Sequence, residues 1–66
     1  MFFRSDRKEP VTISGVIVAE TKKAILFDDG IMREWVPKSQ ILDMKSREGG
    51  LYEITIPRWL LEEKFG

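Results

Sequence analysis

The sequence predicts a mainly β fold, a small five-stranded barrel of the SH3-like or OB-like kind with one short C-terminal helix. Three observations support this. Short apolar segments rich in β-branched residues recur along the chain, with turn-forming residues between them. A helical pattern occurs once, at the C-terminal end. The 66 residues leave no room for a second domain. We therefore expect a flexible arm over residues 1–10 and a single barrel domain over residues 11–66.

The composition narrows the classes of function. Eleven basic and eleven acidic residues cancel, whereas dedicated nucleic-acid binders usually carry a basic excess. The chain has no cysteine and no histidine, so it lacks the common general base, the strongest nucleophile and the usual structural zinc ligands. We expect no enzymatic activity, no cofactor and no metal. The sequence also shows no recognisable leader peptide and no apolar run long enough to cross a bilayer. This predicts a cytoplasmic location and no membrane partner.

The arm contains two features of interest. Pro10 and a run of mixed charges argue against regular structure there. Phe2 and Phe3 are unusual for a free tail. They either pack on the domain's own core or anchor a contact with another molecule.

The first strand is predicted over residues 11–20, VTISGVIVAE. Its alternating apolar positions are Val11, Ile13, Val16 and Val18. Gly15 breaks the phase of this alternation, which predicts a bulge or a bend that lets one strand serve both sides of a small barrel.

A hairpin is predicted where residues 23–27 and 31–36 flank the turn sequence Asp28-Asp29-Gly30. A loop of two residues would pair Leu26 with Arg33. A loop of three residues, with Gly30 in the left-handed conformation, would pair Leu26 with Met32 and is preferred because it matches apolar with apolar. It assigns one face to the core: Ala24, Leu26, Met32 and Val36. It leaves the other face outward: Lys23, Ile25, Phe27, Ile31, Arg33 and Trp35.

The remaining elements are short. Pro37 ends the hairpin, and a single helical or 3₁₀ turn follows over Lys38-Ser39-Gln40. Brief strands are predicted over residues 41–45 and 51–56, with a turn over 46–50 between them.

The helix is predicted over residues 57–65, with Pro57 at its first position and Gly66 as its stop. A helix this short is unstable alone. We expect it to dock on the barrel through its apolar side chains: Trp59, Leu60, Leu61 and Phe65.

Three strings of the sequence, KAILF, EWVPKSQI and ITIPRWLLEEKFG, resemble a widespread family of short, uncharacterised phage and prophage proteins. Members share a KA-apolar strand, a W-apolar-PKSQ segment and a terminal IP-x-W-L helix. The resemblance covers residues 23–66. It implies a phage or mobile-element origin and an accessory role in replication or host takeover, in the cytoplasm of the host cell. It assigns no functional role to any individual residue.

A candidate binding site is centred on Trp35. Its other members are Lys23, Phe27, Arg33 and Lys38. One interpretation is an aromatic platform ringed by cations, of the kind that stacks nucleic-acid bases. The other is that Trp35 packs against the C-terminal helix with Lys23 stacked on its ring.

Together these observations predict a non-catalytic protein-binding module or inhibitor whose partner is a host or phage protein. It would act through a sheet edge or through the face that carries Phe27 and Trp35. The alternative is a nucleic-acid-binding module of a phage replication cassette, using the aromatic and basic residues. A homodimer is also hypothesised, formed by edge pairing or through the apolar face of Ile25, Phe27 and Ile31 with the N-terminal arm.

Overall fold

The computed structural model describes residues 8–66, and the predictions for Phe2, Phe3 and most of the arm lie outside these residues. Five antiparallel strands form one sheet, and one short helix follows them, as the sequence predicted. The elements are β1 (Pro10–Glu20), β2 (Ala24–Asp28), β3 (Arg33–Pro37), β4 (Asp43–Ser46), β5 (Tyr52–Pro57) and α1 (Arg58–Lys64). Two 3₁₀ turns, Lys38–Gln40 and Glu48–Gly50, precede β4 and β5. The mainly β prediction is confirmed.

The strands follow the order β3-β2-β1-β5-β4 across the sheet. Consecutive strands pair with each other except β3 and β4, while β5 returns to pair with β1. Pairing of β3 with β4 would close a barrel, but over residues 8–66 the sheet stays open, with β3 and β4 as its edges. The architecture is therefore barrel-like without being a closed barrel.

The first strand is shared between two ladders. Pro10 to Gly15 pair with β5, and Val16 to Glu20 pair with β2, so one strand does serve both halves of the sheet as predicted. The irregularity that accompanies this change lies between Ile17 and Ala19 rather than at Gly15.

The phase break predicted at Gly15 was wrong. The positions of β1 that turn away from solvent run through it without interruption: Val11, Ile13, Gly15 and Ile17. Gly15 itself is buried, because the ring of Phe27 and the backbone of Asp28 occupy the place of its missing side chain. Val16 and Val18 are consequently exposed on the other side of the sheet.

The core lies on one face of the sheet, beneath the helix. Its buried side chains are Ile25, Phe27, Val36, Ile54, Ile56 and Leu60. Burial of an aliphatic or aromatic side chain of this size contributes about 1.5–3 kcal/mol. The helix docks as predicted, with Trp59, Leu61 and Phe65 packed around the buried Leu60. The rings of Phe65 and Phe27 meet edge to face, with centroids 6.3 Å apart.

The register of the β2–β3 hairpin corrects the prediction. Ile25 pairs with Val36 and Leu26 with Trp35, so the loop contains four residues, from Asp29 to Met32. The physical reason is the Asp29 carboxylate, whose Oδ1 accepts the N–H groups of Ile31 and Met32 at 2.9 Å each and holds both residues in the turn.

The additional loop residue reverses which side chains of β2 face the core. Of the predicted core face, Val36 is correct, but Ala24, Leu26 and Met32 are not in the core. Ile25 and Phe27, predicted outward, are buried. The prediction of a positive φ at Gly30 is confirmed, at 100°.

The boundaries of the other elements differ from prediction by one or two residues. Pro10, assigned to the arm, is the first residue of β1. Pro57 caps α1 in an extended conformation and does not enter it.

Glu9, just before β1, binds Arg58 at the start of α1. Its carbonyl accepts the N–H of Arg58 at 2.9 Å, and its carboxylate pairs with the Arg58 guanidinium at 2.7 Å. No helix within residues 8–66 has the length and apolar content needed to cross a membrane.

Candidate functional site

The predicted site residues separate onto two faces of the sheet. Phe27 has no exposed surface and belongs to the core, so its assignment to a binding face was wrong. Trp35 lies on the opposite face, because its strand neighbours Glu34 and Val36 point toward the core side. The four-residue loop is the cause of this separation, since it sets the two aromatic residues on different sides.

Trp35 is a surface residue. Its side chain is 43% exposed, and it lies in a cross-strand row with Leu26 and Ala19. The helix packs with the core on the other side of the sheet, so the interpretation that Trp35 packs against α1 was wrong.

A second row lies two residues further along the same face, formed by Arg33, Asp28 and Val16. Val16 and Val18 are 39% and 43% exposed. We call the apolar residues of these rows, together with the exposed Val18 between them in β1, the Trp35 face; it comprises Val16, Val18, Ala19, Leu26 and Trp35. Sequence reasoning missed both valines as surface residues. An inward Gly15 was the available signal, since strict alternation from it turns Val16 outward.

Two of the predicted cations already have carboxylate partners. Arg33 Nε lies 2.9 Å from Asp28 Oδ2, and the Lys38 ammonium is bound by the Glu20 carboxylate. Lys23 is exposed immediately before β2, and its carbonyl accepts the N–H of Lys38 at 2.8 Å. Of the three cations, Arg33 shares the strand and the face of Trp35, and both Arg33 and Lys38 have carboxylate partners.

The β2–β3 turn is held by its two aspartates. The N–H of Gly30 donates to Asp28 Oδ1 at 2.7 Å and lowers the pKa of Asp28, with a further contribution from Arg33. The pKa of Asp29 is lowered by the N–H groups of Met32 and Ile31. Ile31, at the tip of this turn, is 92% exposed, as predicted. Both carboxylates thus serve the turn.

A shallow pocket of about 350 Å³ lies beside this turn, where β1 passes from one ladder to the other. It is lined by Ser14, Gly15, Val16, Asp28, Asp29, Gly30 and Leu51. Its carboxylates already accept hydrogen bonds from the turn. Residues 8–66 contain no group of three or more acidic side chains that could hold a metal ion.

Comparison of the chain with protein-family models, curated proteins and solved structures gives no match. The resemblance to short phage proteins therefore stays a prediction, and the case for function depends on the chain's own surface.

Proposed function

We propose that this chain is a non-catalytic protein-binding module of phage or mobile-element origin. It would bind a host or phage protein through the Trp35 face, in the cytoplasm of the host cell, and act as an accessory or inhibitor. One observation carries the proposal: a tryptophan is 43% exposed on a sheet face that turns away from the core. Tryptophan is among the residue types most enriched at the energetic centres of protein interfaces.

The surroundings of Trp35 fit a protein partner. Leu26 and the exposed valines Val16 and Val18 supply apolar contact area on the same face. An interface of this kind has an apolar centre and a polar rim, and here the Arg33–Asp28 ion pair lies beside the apolar residues of the face. This arrangement supports the proposal without naming the partner.

A nucleic-acid partner would need free cations to neutralise phosphates. Arg33 and Lys38 would first have to leave their carboxylates, and Asp28 and Glu20 would then face the phosphate backbone. The equal numbers of basic and acidic residues add no general attraction. The same face therefore favours a protein partner over single-stranded nucleic acid.

The test uses the immobilised chain, a bacterial lysate and one matched pair of variants. Trp35→Ala removes the centre of the proposed interface. Leu42→Ala removes a side chain that is still more exposed, at 58%, in the connection that leads into β4. Proteins retained by the wild-type chain are identified by mass spectrometry, purified and titrated by calorimetry.

We expect Trp35→Ala to raise the Kd for the identified partner about 30-fold, and Leu42→Ala to leave it within about threefold. Equal binding by the two variants would overturn the assignment of the interface. A parallel titration with single-stranded oligonucleotide at about 50 and 200 mM salt tests the alternative function. Tight binding that weakens steeply with salt would replace the protein-binding proposal.

A further inference from the structure

The strand β4 is an open edge of the sheet. It is the last strand in the order, and all of its residues, Asp43–Ser46, are exposed. An unpaired edge presents free backbone N–H and C=O groups to another chain. The opposite edge, β3, is better protected, because it ends at Pro37 and continues into a 3₁₀ turn.

The outward backbone groups of β4 follow from the β4–β5 register. Arg47 donates its N–H to the carbonyl of Leu51 at 2.7 Å, one position beyond the pair Ser46–Tyr52. Since the direction of hydrogen bonding alternates along a strand, Met44 and Ser46 direct their N–H and C=O groups away from β5. Met44 lies inside the strand, at the centre of this open edge.

The sequence of β4 is complementary to itself in charge. Met44 is flanked by Asp43 on one side and Lys45 on the other. When two antiparallel copies meet at a two-fold axis through Met44, Asp43 of each copy lies opposite Lys45 of the other. Residues on the two sides of a symmetric interface exchange roles in this way. Opposite charges in directly facing positions stabilise a strand pair, and like charges destabilise it.

We propose that two copies of this chain form an antiparallel homodimer through β4, with the two-fold axis at Met44. The two Met44 residues exchange a pair of backbone hydrogen bonds, and their side chains, each 39% exposed in the single chain, pack against each other. The result is one continuous sheet of two copies. Of the two dimers hypothesised from the sequence, this one uses edge pairing; a dimer through the apolar face is excluded because Ile25 and Phe27 are buried.

This dimer is independent of the proposed binding function. β5 separates β4 from β1, β2 and β3, the three strands that carry the Trp35 face. Each dimer would therefore present two Trp35 faces, and loss of dimerisation would leave each face intact.

The test exploits the charge pattern. Asp43→Lys gives β4 two cations, and Lys45→Asp gives it two anions. Each variant alone should raise the dimer Kd about tenfold or more, because both facing pairs become repulsive. An equimolar mixture of the two variants should form a heterodimer of near wild-type affinity. Sedimentation equilibrium measures the Kd, and native mass spectrometry identifies the heterodimer.

Glu48→Lys is the matched control. It changes the net charge by the same amount as Asp43→Lys, but it lies in the turn after β4, so we expect an unchanged Kd. Circular dichroism checks the fold of each variant, above all of Lys45→Asp, which places a carboxylate opposite Glu53.

Three outcomes would overturn the proposal: a wild-type chain that is monomeric at high micromolar concentration, charge variants that dimerise like the wild type, or folded variants that form no heterodimer. Hydrogen exchange of the wild-type chain decides the same question without a variant. The amide of Met44 should be protected at high concentration and exchange faster on dilution. Exchange that does not depend on concentration would contradict the dimer.

Discussion

The α-carbon of Gly15 packs against the backbone carbonyl of Asp28, so closely that a Cβ at residue 15 would lie 2.2 Å from that oxygen. The same Cβ would lie 2.8 Å from the ring of Phe27. Gly15 is the last residue of β1 that pairs with β5, and Val16 is the first that pairs with β2. The absent side chain therefore permits the close approach of β2 at the point where β1 changes ladders.

Gly15→Ala should lower the free energy of unfolding by about 3 kcal/mol, because the nearest obstacle is backbone that cannot move aside cheaply. Urea denaturation followed by tryptophan fluorescence measures the change. Ser14→Ala, at the exposed neighbouring position, is the control and should stay within about 0.5 kcal/mol of the wild type. Equal stability of the two variants would contradict the close packing.

Gly30→Ala tests the contribution of backbone strain, rather than of steric overlap, to stability at the β2–β3 turn. Nothing lies within 4 Å of a Cβ at this position, but φ is +100°, which side chains other than glycine rarely adopt. We expect a loss of about 1–2 kcal/mol from backbone strain alone. An unchanged melting temperature would show that the turn adopts another conformation when residue 30 carries a side chain.

The two aspartates of the β2–β3 turn should make the stability of the fold depend on pH. The pKa values of Asp28 and Asp29 are lowered from their ordinary value of 3.8 in the folded chain. A carboxyl group with a lowered pKa stabilises the fold at pH values above its unfolded pKa, and this contribution is lost as the pH falls through the folded pKa. Melting temperatures from pH 6 down to about pH 2 should therefore fall less steeply for the double variant Asp28→Asn/Asp29→Asn than for the wild type. Parallel curves would refute the role of the two carboxylates.

The helix should contribute to the stability of the fold mostly through Leu60, which is buried in the core. Leu60→Ala should cost about 3 kcal/mol, within the usual range for a buried leucine. Trp59 is only half-buried and packs at the margin of the core. Trp59→Ala should therefore cost less than the 3–5 kcal/mol typical of a fully buried aromatic residue. A larger loss for Trp59→Ala than for Leu60→Ala in urea denaturation would reverse this order.

Much of the fold follows from local sequence signals, but the face assignment of the hairpin does not. Strand positions, the turn at Gly30 and the C-terminal helix were predicted from alternation, glycine and proline. The register depended on the side chain of Asp29, which binds two backbone N–H groups and adds a residue to the loop. Alternation has a period of two, so one additional loop residue exchanged the inward and outward sets of β2 and left those of β3 as predicted.

The wrong register of the hairpin also affected the prediction of the candidate site. Phe27 was assigned to the face of Trp35, but it lies in the core on the other side of the sheet. Side-chain volume was a usable signal: Ile25 and Phe27 together fill more of a core than Ala24 and Leu26 do. The pairing of Arg33 with Asp28 and of Lys38 with Glu20 joins residues that are 5 and 18 positions apart, and composition alone cannot reveal such partners.

The division of β1 between two ladders has a consequence for how the chain folds. The β2–β3 and β4–β5 hairpins contain only local contacts and can form within microseconds. The β1–β5 ladder joins residues far apart in sequence, as in the hydroxyl contact between Thr12 and Thr55 across 43 positions. Closing that long loop is entropically costly and is expected to limit the rate. Substitutions along the β1–β5 ladder should therefore slow folding, whereas substitutions in β3 should mainly speed unfolding.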